Sequence, residues 1–110
     1  MRTEVIIDFD VEGYHQWPNA PDIVSFLRSR HRHIFQIRAG IVVSHQDRDR
    51  EIFMETAAAT QILMDKYGNE PFEFGCNSCE MIASLILLKT PGCTWVEVFE
   101  DHRGGARVTQ

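Results

Sequence analysis

Hydrophobic and polar positions alternate near both ends of this chain and take up a helical spacing in between. Over residues 3–11, Val5, Ile7, Phe9 and Val11 alternate with Glu4, Ile6, Asp8 and Asp10, the two-residue period of a half-buried strand. Pro18 and Pro21 mark residues 13–21 as a loop, with a short turn or helix over 22–27. The clearest strand is predicted over 33–45, where Phe35, Ile37, Ala39, Ile41 and Val43 share a face and Gly40 is a bulge position. The two strands read as a long hairpin whose connection is enlarged by the loop.

A helix is predicted over 49–67, with Ile52, Phe53, Ala57, Leu63 and Met64 near helical spacing. Thr60 fills the gap in that stripe, its methyl packing and its hydroxyl bonding back to the preceding turn. The run Ala57-Ala58-Ala59 favours helix, and Gly68-Asn69-Glu70-Pro71 stops it. A second helix is expected after Asn77, with Asn77 as cap and Glu80 three residues later as its capping box. Met81, Ile82, Leu85, Ile86 and Leu88 provide the apolar side, and Pro91-Gly92 ends the element. Alternation returns over 94–100, with Trp95, Glu97 and Phe99 opposite Thr94, Val96, Val98 and Glu100. A turn at 101–105 leads to a final short strand over 106–109.

This order predicts an α+β fold, an antiparallel sheet in the sequence β-β-α-α-β-β with both helices on one face. At 110 residues the chain suits one domain, 1–110, with a modest core. The other sheet face keeps apolar residues and the edge strands are open, so a homo-oligomer is expected.

Charge narrows the partners. A formal net charge of −5 argues against a general nucleic-acid binder, which needs an excess of Lys and Arg along its surface. Arg28, Arg30, Arg32 and Arg38 nevertheless cluster around the histidines and suit a phosphate-bearing small molecule. The longest apolar run, 82–88, is broken by Ser84 and too short to span a bilayer. The first residues turn acidic at Glu4 and carry no signal-peptide apolar segment. Cys76, Cys79 and Cys93 do not pair evenly, which points to reduced thiols and a cytoplasmic protein. Cys76 and Cys79 form a CxxC with no second pair to complete a four-thiolate site.

The candidate chemistry centres on histidines. In a strand, residues i and i+2 point the same way, so His31 and His33 can converge on one metal ion, with His15 from the neighbouring strand as third ligand. Three imidazoles with one open position are the pattern of a catalytic or ligand-binding Zn2+ site rather than a closed structural one.

Taken in order, these pieces resemble the T-fold family of 6-pyruvoyltetrahydropterin synthase and the 6-carboxytetrahydropterin synthase of queuosine biosynthesis. The family's histidine-ended strand corresponds to Phe9 through His15, and its His-Gly-His to His31-Arg32-His33. Its Thr-x-Glu at the second helix falls on Ser78-Cys79-Glu80, and its late-strand glutamate on Glu100. The resemblance implies a zinc-dependent lyase acting on a pterin or purine-like nucleotide. Zinc would be held by His15, His31 and His33, and the ring anchored by Glu100, with Glu80 as a further ligand-binding candidate. A carboxylate can accept two hydrogen bonds from an amino-pyrimidinone edge. Arg28 and Arg32 are the candidates to meet phosphate.

The chain also departs from the family pattern. Leu27 stands where the family has its catalytic cysteine, four residues before the first histidine of the pair. Arg32 replaces the glycine between the histidines, and Asp65-Lys66 lacks the histidine of the family's Asp-His pair. Two residues are candidates to take over proton transfer. Cys79 sits at a helix start that favours a thiolate, and His102 lies in a glycine-rich turn as a mobile general base. The alternatives are a catalytically divergent relative that binds or sequesters a nucleotide or modified base, and a structural T-fold oligomer without metal.

Overall fold

Thirteen residues of unbroken extended chain, Thr3–His15, form the first strand, β1. It pairs antiparallel with β2, His31–Val43, through a register running from Thr3 opposite Val43 to His15 opposite His31. The computed structural model describes residues 1–110, with elements in the order β1, a 3-10 helix Asp22–Leu27, β2, α1 (Ile52–Tyr67), β3 (Phe72–Gly75), α2 (Cys79–Lys89), β4 (Cys93–Glu100) and β5 (Gly104–Thr109). These build one five-stranded sheet in the order β3-β1-β2-β4-β5, with the helices on one face.

The α+β class, the long hairpin, the 22–27 turn and the helices on one face agree with expectation. The sheet is mixed rather than antiparallel, because β3 joins the edge parallel to β1. That four-residue strand follows the predicted helix stop at 68–71, in a stretch for which the sequence pattern predicts no element. Its Phe72 and Phe74 are almost fully buried, and a segment this short carries too little alternation to announce itself. β1 and β2 also extend beyond their predicted ends at the His15–His31 side, because cross-strand pairing holds the chain extended there. The bulge expected at Gly40 is present: the β2–β4 register shifts between Gly40 and Ile41. A Cβ at Gly40 would stand 2.1 Å from Trp95 Nε1, so only glycine lets the indole lie against the strand.

The core lies between the inner sheet face and the helices. Phe35, Ile37 and Ile41 of β2, Val96 and Val98 of β4, Leu63 of α1, and Ile82 and Ile86 of α2 are all fully buried. The predicted helix faces need correction. On α1 the buried positions are Ala59 and Leu63, one turn apart, while Ile52, Phe53 and Met64 are exposed. On α2 they are Cys79, Ile82, Ala83, Ile86 and Leu87, with Met81 and Leu88 exposed. Both helices carry more apolar residues than their contact stripes can hold, so the pattern did not single out the buried set. Thr60 does bond back, its Oγ1 donating to Thr56 O at 2.9 Å.

The outer sheet face is more charged than expected. Ile6 is exposed there, but Glu97 forms ion pairs with Arg38 and Arg107 at 2.7 and 2.6 Å, and both guanidinium groups lie near the Trp95 ring. No helix is long and apolar enough to cross a membrane.

Candidate metal centre

Strand register creates the site. The β1–β2 ladder places His15 opposite His31 and Gly13 opposite His33, so three imidazoles share the inner face at the end of the hairpin. Their ring centroids lie 4.6, 4.9 and 5.3 Å apart. Phe35 continues the stripe below them, its ring edge-on to His15 at 5.2 Å and to His33 at 5.6 Å. Phe74 of β3 packs against Phe35 and over Gly13, where a Cβ would come within 2.4 Å of the Phe74 ring. The histidines therefore stand on the rigid end of the hydrophobic core.

Hydrogen bonds set the tautomer of each ring. His15 Nδ1 donates to Asn77 O at 3.0 Å and His31 Nδ1 to Ser29 O at 2.8 Å. A carbonyl oxygen only accepts, so both Nδ1 atoms carry a proton, and in the neutral rings both Nε2 atoms carry a lone pair. His33 Nδ1 meets Asp101 Oδ2 at 2.6 Å, and its preferred tautomer is the same. Asp101 also accepts from the Ile34 amide at 2.9 Å. The amide bond, then the one to His33, hold its carboxyl below the ordinary value. Bracing of this kind, with the distal nitrogen bonded to carbonyl or carboxylate, is how metal-binding imidazoles are oriented.

The three donor atoms lie within 4.8 Å of one another, so His15, His31 and His33 form a group able to hold a metal ion. His31 Nε2 and His33 Nε2 are buried and lack any hydrogen-bond partner. His15 Nε2 meets only the carboxylate of Glu100, at 3.1 Å. Buried lone pairs turned toward one another and toward a carboxylate are unfavourable unless a cation lies among them. A proton can serve at one nitrogen. Burial opposes charging His15, but its bonds to Glu100 and Asn77 prevail and raise its pKa above the ordinary value. A metal ion held by the three residues would satisfy all three nitrogens at once.

These atoms lie in a cleft of about 630 Å³. Trp17 and Leu27 line one side, held together by the Trp17 amide donating to Leu27 O at 2.8 Å. The start of α2 and the β4–β5 turn, with Arg103, line the rest.

Glu100 and Glu80 both reach the cleft, and Glu100 lies against the histidines. Cys79 is there too, but not as an activated nucleophile. Burial, then the Glu100 charge, push its thiol up to about 12, overriding the helix-end effect expected of its position. Its Sγ lies 3.5 Å from Glu100 Oε2 as a neutral donor. His102 is outside the cleft lining, its Nε2 3.1 Å from Asp10 Oδ2, because a left-handed turn (φ 58°) carries it toward β1.

Arg28 and Arg32 also lie outside the cleft lining. Arg28 holds the 3-10 segment through Ala20 O and Asp22, and Arg32 pairs with Glu12 on the outer face. Arg30 pairs with Glu73, and His45 lies beyond the far end of β2 beside Asp49. The α2 cap is Ser78, whose Oγ accepts from the Met81 amide at 3.2 Å. Asn77 instead braces His15 through its carbonyl and donates its side-chain amide to Tyr67 at 2.6 Å. The capping box with Glu80 is therefore absent.

Sequence reasoning missed Asn77, Ser29 and Asp101 as braces, and Arg103 as a cleft residue. The first two act through backbone carbonyls and leave no side-chain signal. Asp101 offered one, as the residue following Glu100 at a strand end. No protein-family model matches the chain, and no curated protein matches it significantly.

Proposed function

We propose that this chain is a zinc-dependent protein of the T-fold, pterin-synthase type, acting as a lyase on a pterin or purine-like nucleotide. The observation that carries the reading is the convergence of three Nδ1-braced imidazoles whose Nε2 lone pairs face one another without adequate partners. An all-nitrogen trio with one further position fits zinc. When bound, the zinc supplies a Lewis acid that polarises a carbonyl or hydroxyl oxygen of the substrate.

The remaining work falls to the chain. Glu100, held below the ordinary carboxylate value by the His15 bond first and further helped by His33, is an ionised acceptor for the amino-pyrimidinone edge of a ring. Trp17 and Leu27 give the ring an apolar flank. Arg103 receives the anionic tail. The other eight arginines are all ion-paired, whereas Arg103 lines the cleft and forms no such pair. The open sheet edges and exposed Phe53, Met54 and Leu88 support self-association into a homo-oligomer. Three free thiols fit a cytoplasmic setting.

A second reading, a relative that binds the ring without turning it over, is favoured by one set of observations. Leu27 occupies the family's cysteine position, Cys79 is held neutral and His102 faces Asp10. One experiment separates the two. The zinc-loaded protein is titrated with neopterin triphosphate and guanosine triphosphate by calorimetry, and the mixtures are then analysed for an altered side chain. Binding with product formation supports the lyase, and binding without product supports the binder. A protein that takes up neither zinc nor ring overturns both.

A further inference from the structure

The carboxylate of Glu100 lies among the same nitrogens that the trio turns inward. Its Oε2 is 3.1 Å from His15 Nε2 and its Oε1 is 3.4 Å from His33 Nε2. No arginine or lysine neutralises it; its one other polar side-chain contact is Cys79 Sγ at 3.5 Å. Strand register puts it there. Glu100 pairs with Phe35 across β4 and β2, and Phe35 is the ring beneath His15 and His33.

The spacing is informative. In a tetrahedral site with metal bonds of about 2.0–2.2 Å, neighbouring donor atoms stand roughly 3.3–3.6 Å apart. The two Glu100 contacts are close to that separation, and each involves a nitrogen facing the centre of the trio. With Nδ1 of His15 tied to Asn77 and of His33 to Asp101, the neutral imidazoles and the carboxylate meet acceptor to acceptor. A shared cation removes that conflict. A ring amino group approaching Glu100 alone would leave the three nitrogens unsatisfied.

We propose that Glu100 is a fourth protein ligand of the metal, closing a three-histidine, one-carboxylate set while no small molecule is bound. The inference rests on the metal reading above. Glu100 then has two competing partners, the metal and the hydrogen-bonding edge of the ring. Its side chain is 31% exposed into the cleft, so it has room to turn from one to the other. Arrival of the ring frees a coordination position that is otherwise filled. The site takes its substrate by exchange rather than by occupying a standing vacancy.

Zinc affinity, measured by competition with a chromogenic chelator, and the visible spectrum of the cobalt(II)-loaded protein test this in wild type, Glu100→Gln and His31→Ala. The expected result is zinc affinity at least about 10-fold weaker in Glu100→Gln, with a changed cobalt spectrum and a Tm that shows the variant folded. Unchanged affinity and spectrum in Glu100→Gln, with binding lost in His31→Ala, would overturn the role of Glu100 and leave the trio intact. Absence of zinc binding by the wild type overturns the metal reading itself. Should the glutamine variant not fold, a zinc-soaked crystal structure of the wild type decides. A Glu100 oxygen within about 2.2 Å of zinc supports the proposal, and one beyond about 3 Å ends it.

Discussion

Two carboxylates three residues apart on one strand have opposite fates. Glu97 points to the outer sheet face, where it is 6% exposed and bonded to Arg38 and Arg107. Glu100 points to the inner face, where it meets the imidazoles of His15 and His33 and the thiol of Cys79. Odd and even positions of a strand face opposite ways, so the shift of three residues changes the face and the whole electrostatic setting. The first carboxylate is countercharged by permanent cations and is complete as it stands. The second sits among groups that need a further cation, and that difference separates a structural network from a site.

The contrast can be broken from either side. The largest effect is expected from His31→Ala, which removes one nitrogen of the trio and should weaken zinc binding by more than about 100-fold, beyond the range for loss of an outer brace. Chelator competition reads this directly. A variant that keeps wild-type affinity would remove His31 from the metal set. Asp101→Asn follows. It replaces the carboxylate that orients His33, and zinc affinity should fall about 10–100-fold while the fold survives. No change in affinity would mean that the Ile34 and His33 contacts only hold the turn.

Glu97→Gln tests the complete network. It should lower stability by about 1–2 kcal/mol, because hydrogen bonds to charged groups are lost and both arginines are partly exposed. Zinc affinity should stay within about 2-fold, since the site is on the other face. The pH dependence has a definite sign. Burial opposes charging Glu97, but the bonds from Arg107 and Arg38 prevail and hold its pKa below the ordinary 4.5. The stabilisation is therefore fully present above that value and is lost as the pH falls through the folded-state value. Denaturant curves of wild type and variant should start to draw together as the pH falls below 4.5 and meet once it has passed the lower folded-state value. A gap that persists in acid would show that the charge is not its source. The smallest effect is expected from Arg32→Ala, which removes a solvent-screened ion pair with Glu12 outside the cleft and should leave stability and ligand affinity nearly unchanged. A large loss of nucleotide affinity in that variant would return phosphate binding to Arg32 and away from Arg103.

Much of the fold was legible because its strongest signals are local. The alternation of Val5, Ile7 and Val11, the Phe35–Ile37–Ala39–Ile41 stripe and the glycine at the bulge each follow from a two-residue period. The pairing of His31 with His33 came from that same period, and the placement of His15 from the hairpin. The buried faces of α1 and α2 were less legible. Exposed Phe53 and Leu88 are as apolar as the buried Leu63 and Ile86, and only contact with the sheet distinguishes them. Cys79 shows a local rule losing to its surroundings, because burial and the neighbouring Glu100 outweigh the helix end.

By itself the sequence determined four of the five strands, the two helices and the three histidines that can share one face. Those properties are written in the spacing of neighbouring residues along the backbone. Tertiary structure decided that β3 enters parallel to β1, that Asn77, Ser29 and Asp101 brace the rings, and that Glu100 rather than His102 stands at the centre. Each of those outcomes depends on which distant atoms meet across the sheet, and a carbonyl or carboxylate acquires its role only when register brings a donor within hydrogen-bonding distance.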